Sequence, residues 1–290
     1  MSHRTEQQFL ARFKREGISG QVVSEFRRLV YAIYDRVHRS DLPWRLTRDP
    51  YRIMVSEIML QQTQVARVRK KYEEFLKQFP DVEALAGATL QEVLVAWQGL
   101  GYNRRGIALK RAAEEIISRF GGAVPLKAEE LRTLPGIGPY TSGAIAAFSG
   151  NRPELFIETN IRTVFLHLFF ADQQGVPDRE IMPLIEKTLD REQPREWYYA
   201  LMDYGVHLKQ KTANPGRRSA HHQRQTPFKG SNREVRSRLL KAILAGESVT
   251  EKELAAARPG DEERVVKNLA DLVREGFIVM EGDRYVICSR

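Results

Sequence analysis

Apolar residues recur at helical spacing through most of the first two hundred positions, as in Val22, Phe26, Leu29, Val30, Ile33 and Val37, and strict alternation is almost absent there. The pattern predicts an all-α body. Breaks at Leu42-Pro43, Asp49-Pro50, Phe79-Pro80, Gly99 to Gly101, Gly121-Gly122, Pro135 to Pro139 and Gly150 to Pro153 divide it into helices of roughly 10–16 residues. Beyond residue 232 the pattern changes. A helix near Val235 to Leu244 is followed by Thr250-Glu251-Lys252-Glu253, a capping box, and by a helix from about Asp261 to Arg274. Two short runs, Phe277 to Met280 and Arg284 to Ile287, flank Gly282-Asp283 as a β-hairpin. Three helices and a hairpin predict either a small winged-helix-like α+β domain or a helical cap without a ligand of its own.

One helix differs from its neighbours. Within RIMVSEIMLQQTQVARV, residues 52–68, the apolar positions cover nearly the whole circumference, which predicts a buried helix with Glu57 in its middle and Gln61 and Gln64 on the same face. Burial disfavours the charged form of a carboxylate, so Glu57 is either a candidate general acid or the partner of an arginine. At LRTLPGIGPYTSGAIAAF, residues 131–148, one helix ends at Leu134 and another begins near Tyr140, with Gly136 and Gly138 permitting positive φ in the turn between them. Such a turn either presents amides to a phosphodiester or is a simple helix C-cap. Farther on, Glu158 and Asn160 open an apolar helix; Glu158 is its cap or a functional carboxylate near its positive end. Two carboxylates together suit glycosidic bond cleavage, one protonating the leaving group and the other offsetting charge on the sugar.

Composition narrows the partner. The 290 residues carry 46 Lys and Arg against 37 Asp and Glu, a net charge of +9, so a polyanion such as nucleic acid is expected. No apolar run approaches the ~20 residues that cross a bilayer, and the N-terminus lacks the apolar stretch of a secretory signal, so a cytoplasmic protein without membrane attachment is expected. The one cysteine, Cys288, excludes an intramolecular disulfide and any four-cysteine metal site within the chain. Between Lys209 and Arg238 lie nine Lys or Arg and one acid, Glu234. That segment is either a solvated linker or a DNA-contacting loop. The expected division is a body over 1–208, a basic loop over 209–232 and the winged-helix-like domain over 233–290.

Taken in order, DLPWR at 41–45, DPYRIMVSEIMLQQTQV at 49–65, FP at 79–80, VLVAWQGLGYNRR at 93–105, LPGIGPYTSGAI at 134–145 and IETNIRTV at 157–164 make the chain resemble the helix-hairpin-helix (HhH-GPD) DNA glycosylases, of the MutY-type adenine DNA glycosylase branch. The resemblance implies a two-lobed helical body with its active site between the lobes. It also implies excision of a mispaired base, adenine first, from duplex DNA by a monomer, and membership of base excision repair. It implies roles for residues too: Glu57 as the acid at the departing base, Glu158 as the carboxylate beside the cationic sugar, one methylene longer than the family's aspartate, and Tyr140 where bifunctional relatives keep a Schiff-base lysine. Hydrolysis without strand cleavage is therefore expected. Leu60, Gln62 and Thr63 correspond to residues that enter the duplex, and Tyr102 to the wedge beside the opposing base. Arg45, Leu134, Gly136, Ile137 and Gly138 correspond to further DNA contacts. The family's four-cysteine iron–sulfur loop should follow ALMDYGVHLK; the basic segment stands in its place, which implies the clusterless branch with no cofactor and assigns Lys209, Lys211, Arg217, Arg218 and Arg224 to phosphates. The C-terminal domain that reads 8-oxoguanine in the family is replaced by the winged-helix-like tail. The other expectations are a glycosylase of the same scaffold for mismatched thymine or uracil or for hypoxanthine, and a catalytically silent binder of unusual DNA.

Overall fold

The computed structural model describes residues 2–222, 226–246, 249–256 and 261–288. In chain order these form α1 (Ser2–Glu16), α2 (Gly20–Val37), a 3-10 turn at Pro43–Arg45, α3 (Pro50–Leu60), α4 (Val65–Gln78), α5 (Val82–Gly87), α6 (Leu90–Trp97), α7 (Arg104–Phe120), α8 (Ala128–Arg132), α9 (Pro139–Gly150), α10 (Thr159–Leu168), α11 (Asp178–Thr188) and α12 (Pro194–Lys211). A second 3-10 turn, Pro215–Arg218, precedes α13 (Asn232–Leu244), β1 (Val249–Thr250), α14 (Glu251–Ala256), α15 (Glu262–Arg274), β2 (Ile278–Glu281) and β3 (Arg284–Ile287). The all-α body is as the periodicity predicts. Helix lengths are not: α5 and α8 have six and five residues and α2 and α12 have 18 each. Caps bound α5 at both ends. Asp81 accepts from the Ala84 amide to start α5, and Thr89 with Glu92 makes a reciprocal capping box that starts α6 afresh.

Two compact units result, each made of two chain segments: Met1–Glu57 with Val124–Gln223, and Ile58–Ala123 with Arg224–Arg290. The first is organised by rings. Phe26 meets Trp197, Phe165 and Phe169 edge-on at 5.6, 5.5 and 5.1 Å, and Phe9 adds a fourth contact to Phe169 at 5.5 Å. Edge-to-face pairs of this kind add about 0.5–1.5 kcal/mol each beyond area burial. Also in this unit, α10 and α12 touch backbone to backbone. A methyl placed on Gly205 would fall inside contact distance of the Asn160 carbonyl. Replacing a helical glycine by alanine ordinarily gains about 1 kcal/mol. Here the clash reverses the sign, and Gly205→Ala is expected to lose about 1–3 kcal/mol in urea denaturation.

The second unit holds the tail. Its order, helix, strand, helix, helix, hairpin, with sheet order β1-β3-β2 and antiparallel pairing Ile278 to Ile287 and Val249 to Tyr285, is that of a winged helix. The two-residue strand β1 has too little sequence to be seen as a strand. The Thr250–Glu253 capping box forms as its spacing predicts, with Thr250 and Glu253 bonding each other's amides at 2.8 and 3.2 Å. The tail does not stand as a separate core. Leu90, Leu94 and Ile107 of α6 and α7 share one apolar cluster with Val235, Leu239, Leu240, Leu269, Leu272 and Phe277. Glu275, between Arg104 and Arg236, closes the rim of that contact. Among the described residues no helix is long and apolar enough to cross a membrane.

Candidate active site

Glu57 is the last residue of the first unit and lies in α3 among Ile53, Met54, Val55, Ile58 and Met59, all buried; it is itself 4% exposed. Desolvation raises its pKa to about 7; the negative charge of Glu158 adds to the rise, and the Tyr140 hydrogen bond and the Arg45 cation oppose it. The Tyr140 hydroxyl donates to Glu57 Oε2 at 2.7 Å. With that oxygen engaged as an acceptor, the acid proton of Glu57 belongs on Oε1.

Tyr140 is brought there by a helix-hairpin-helix. α8 ends at Arg132 with Thr133 as its C-cap, the chain turns through Gly136 at φ 75°, and Gly138 in extended backbone caps α9, with Pro139 at its first position. Arg132 Nε donates to Ser142 Oγ at 3.1 Å and ties the two helices. The glycine reading holds at 136 only: Gly138 has φ −87° and room for a side chain. Leu134 and Ile137 are buried, 3% and 5% exposed, so their side chains close the hairpin's core and do not offer contacts to a ligand. What the hairpin exposes is backbone at Gly136 and Gly138 and the positive end of α9.

Glu158 is partly buried and is the N-cap of α10, the structural one of the two readings that its position in the sequence allows. Its Oε1 accepts from the amides of Asn160 and Ile161 at 2.6 and 2.8 Å, and its Oε2 from Asn160 Nδ2 at 3.1 Å. Burial raises its pKa, while those amides, Lys209 and Arg162 pull it back down. Glu57, Tyr140 and Glu158 are thus gathered within one unit and sense one another electrostatically.

Several expected DNA contacts are occupied otherwise. Arg45 is 6% exposed at its side chain and makes a two-pronged pair with buried Asp203 at 2.7 and 2.8 Å, with its guanidinium over the Tyr199 ring at 4.4 Å. It is part of the core because Asp203, invisible as a partner in the sequence, draws it in. Arg218 donates to the carbonyls of Leu166 and Ala171 and closes the end of α10. Lys209 is the last-turn residue of α12 and donates to Asn160 Oδ1 at 2.8 Å. The expected loop from 209 is therefore helix to Lys211, then a turn whose Ser219 bridges to Val176. Lys211 and Arg217 are exposed, and Arg224 lies outside the described residues. This segment does not fit an iron–sulfur cluster, which takes four thiolates: it holds no cysteine, and Cys288 belongs to the other unit.

In the second unit, the predicted helix over 52–68 is interrupted. α3 stops at Leu60, Gln62 adopts φ 56°, and α4 starts at Val65, so Gln61 and Gln64 do not share a helical face with Glu57. Tyr102 likewise has φ 48° and is 40% exposed. Both unusual turns are held by Arg105, which the sequence did not distinguish from Arg104. Its Nη1 donates to the carbonyls of Ile58, Met59 and Gln61 at 2.8, 2.9 and 2.6 Å, and its Nη2 to Thr63 Oγ1 and the Gly101 carbonyl at 3.0 Å each. Left-handed backbone at non-glycine residues costs about 1–3 kcal/mol and persists only where neighbours impose it. Thr63 is turned inward by this clamp; Gln62 remains exposed and Leu60 partly so.

A model of the HhH-GPD superfamily of base excision DNA repair proteins matches residues 55–190, which include Glu57, Tyr140 and Glu158. The adenine DNA glycosylase of Mycobacterium tuberculosis is 33% identical over 274 residues, covering 87% of this chain and 90% of that one. The chain belongs to the HhH-GPD superfamily, in its adenine DNA glycosylase family. The adenine DNA glycosylase of Rattus norvegicus is 36% identical over 196 residues, and the chain spans only 38% of its length. Among solved structures, a thermostable thymine-DNA glycosylase superposes with a TM-score of 0.56 at 25% identity, over 63% of this chain and 86% of that one. The family segment ends at 190, so Asp203 and Lys209, which reach back to Arg45 and Asn160, lie beyond it.

Proposed function

We propose that the protein is a monofunctional DNA N-glycosylase that flips adenine out of a mispair and hydrolyses its glycosidic bond without a bound metal. The observation that carries this is a fully shielded carboxylic acid, Glu57, with a pKa near 7, braced by a hairpin-helix tyrosine and within electrostatic reach of a second carboxylate. A group titrating near working pH is the form a general acid needs. Glu57 gives its proton to the ring of the extruded adenine, and the bond from C1′ to the base breaks with its electron pair leaving on the base. Glu158, anionic under three N–H donors, offsets the positive charge on the sugar. Water adds to C1′ and its proton restores the acid form of Glu57. Tyr140 stands in the hairpin helix where a Schiff-base amine would have to be, so the product is an abasic site in an intact strand.

The basic balance of the chain and the exposed amide end of α9 supply the attraction for DNA backbone. Gln62 and Tyr102, presented by the turns that Arg105 clamps, fill the space left by the flipped nucleotide. A second reading, removal of mismatched thymine or uracil, is favoured by a thymine/uracil-DNA glycosylase of Pyrobaculum aerophilum that is 29% identical over 62% of this chain. Duplexes with single defined mispairs, incubated with the protein and then treated with alkali, separate the readings. Strand breaks at adenine, appearing only after alkali, are expected. Breaks at thymine or uracil support the second reading, and tight binding without breaks would leave only a DNA-binding role.

A further inference from the structure

Resting on the reading above, we propose that Lys209 is a positioning residue: its ammonium, acting through the side chain of Asn160, fixes the Glu158 carboxylate against the reacting sugar. The chain of contacts is continuous. Lys209 Nζ donates to Asn160 Oδ1 at 2.8 Å, which turns the amide so that Asn160 Nδ2 donates to Glu158 Oε2 at 3.1 Å, while the Asn160 backbone amide holds Oε1 at 2.6 Å. Gly205, one turn earlier in α12, lets that helix sit directly against the Asn160 backbone, so the reach of Lys209 is set by rigid elements on both sides.

The charges around Glu158 leave this task to Lys209. Arg162, on α10, is bound to Asp178 by two hydrogen bonds at 2.6 and 2.7 Å, and its charge is largely offset. Glu57 on α3 and Tyr140 on α9 are the other titratable groups coupled to Glu158; both are neutral in the reactive state and neither supplies a cation. No carboxylate pairs directly with Lys209 among the described residues, so its positive charge is available to Glu158, a partly buried carboxylate that desolvation would otherwise push towards its protonated form. A lysine that the resemblance assigns to DNA phosphates thus serves, through Asn160, the carboxylate that faces the cationic sugar.

Lys209→Gln keeps a donor for Asn160 and removes the charge; Lys209→Met removes both. In the free full-length protein, the Asn160 and Ile161 amide signals followed by NMR against pH report the ionisation of Glu158 whether or not DNA is cut. Their midpoint is expected to rise by about one pH unit in Lys209→Gln, an opposite charge nearby being worth 1–3 units, with Lys209→Arg close to wild type. In single-turnover excision the acid limb should rise by the same amount, giving about tenfold slower release below the limb. Duplex affinity and its salt slope should stay within twofold. An unmoved midpoint, or weaker binding with a flattened salt slope and an unchanged acid limb, would overturn the proposal and return Lys209 to the phosphates. If Lys209→Met fails to fold, the Gln and Arg pair carries the same comparison. A shifted midpoint in a protein that cuts no mispair would fail the glycosylase reading and leave the contact itself standing.

Discussion

Glu57→Gln is expected to bind mispaired duplex and release adenine at least a hundredfold more slowly than the native protein, with a loss reaching about ten-thousandfold, the range of general acid catalysis. The glutamine keeps the shape of the side chain and an acceptor for the Tyr140 hydroxyl, so the loss belongs to the missing proton and not to a collapsed helix. The same substitution should make the protein more stable at pH 8. Glu57 has its folded pKa raised from 4.5 to about 7, so its contribution to stability is fully present below about 4.5 and lost as pH rises through 7. Above that point the native fold carries a buried, partly compensated carboxylate at a cost on the order of 3 kcal/mol, which glutamine does not incur. Urea denaturation at pH 5 and pH 8 should show the variant's advantage appearing between the two. An advantage of equal size at both pH values would place the effect in packing.

Asp203→Asn is expected to cost about 3–5 kcal/mol, the penalty for removing one partner of a buried ion pair. Asp203 is 2% exposed and accepts from Arg39 through its backbone amide and Nε, at 2.9 and 2.6 Å, and from both terminal nitrogens of Arg45. Its loss leaves the Arg45 guanidinium buried without a counter-charge over Tyr199. The carboxyl is held below the usual range by these two arginines, although burial pushes the other way, so its contribution is present above about pH 4 and disappears as pH falls through the lowered value. Denaturation midpoints at pH 7 measure the difference. A change below 1 kcal/mol would mean that the pair is redundant. Arg45 also depresses the pKa of Glu57, and without Asp203 its charge is no longer offset, so a surviving variant should show its alkaline limb moved to lower pH.

The helices, the capping boxes and the hairpin of the tail were legible because each rests on local periodicity or on side chains three or four residues apart. Glu57 was legible for the same reason: an acid ringed by apolar positions on one helix announces its own burial. What escaped depends on partners far along the chain. Arg45 reads as an exposed cation until Asp203, 158 positions away, is brought to it. Lys209 sits in a stretch whose composition signals a solvated segment, yet a helix carries it to Asn160, 49 positions upstream. The interruption of the helix after Leu60 left no trace in hydrophobicity. It is imposed by Arg105, which captures three carbonyls that a continuing helix would have bonded itself. The winged-helix order was readable, but its shared core with α6 and α7 was not, since Leu90, Leu94 and Ile107 carry no mark of their partner.

Base release in this reading requires that an acid kept from water hand its proton to the leaving base. The rate of adenine release in a single turnover, measured from pH 6 to pH 9 on a mispaired duplex, reads this directly. A plateau that breaks near pH 7 and then falls tenfold per pH unit is predicted, with the break absent from the residual rate of Glu57→Gln. A rate that stays level to pH 9, or a break that survives in the glutamine variant, would contradict it.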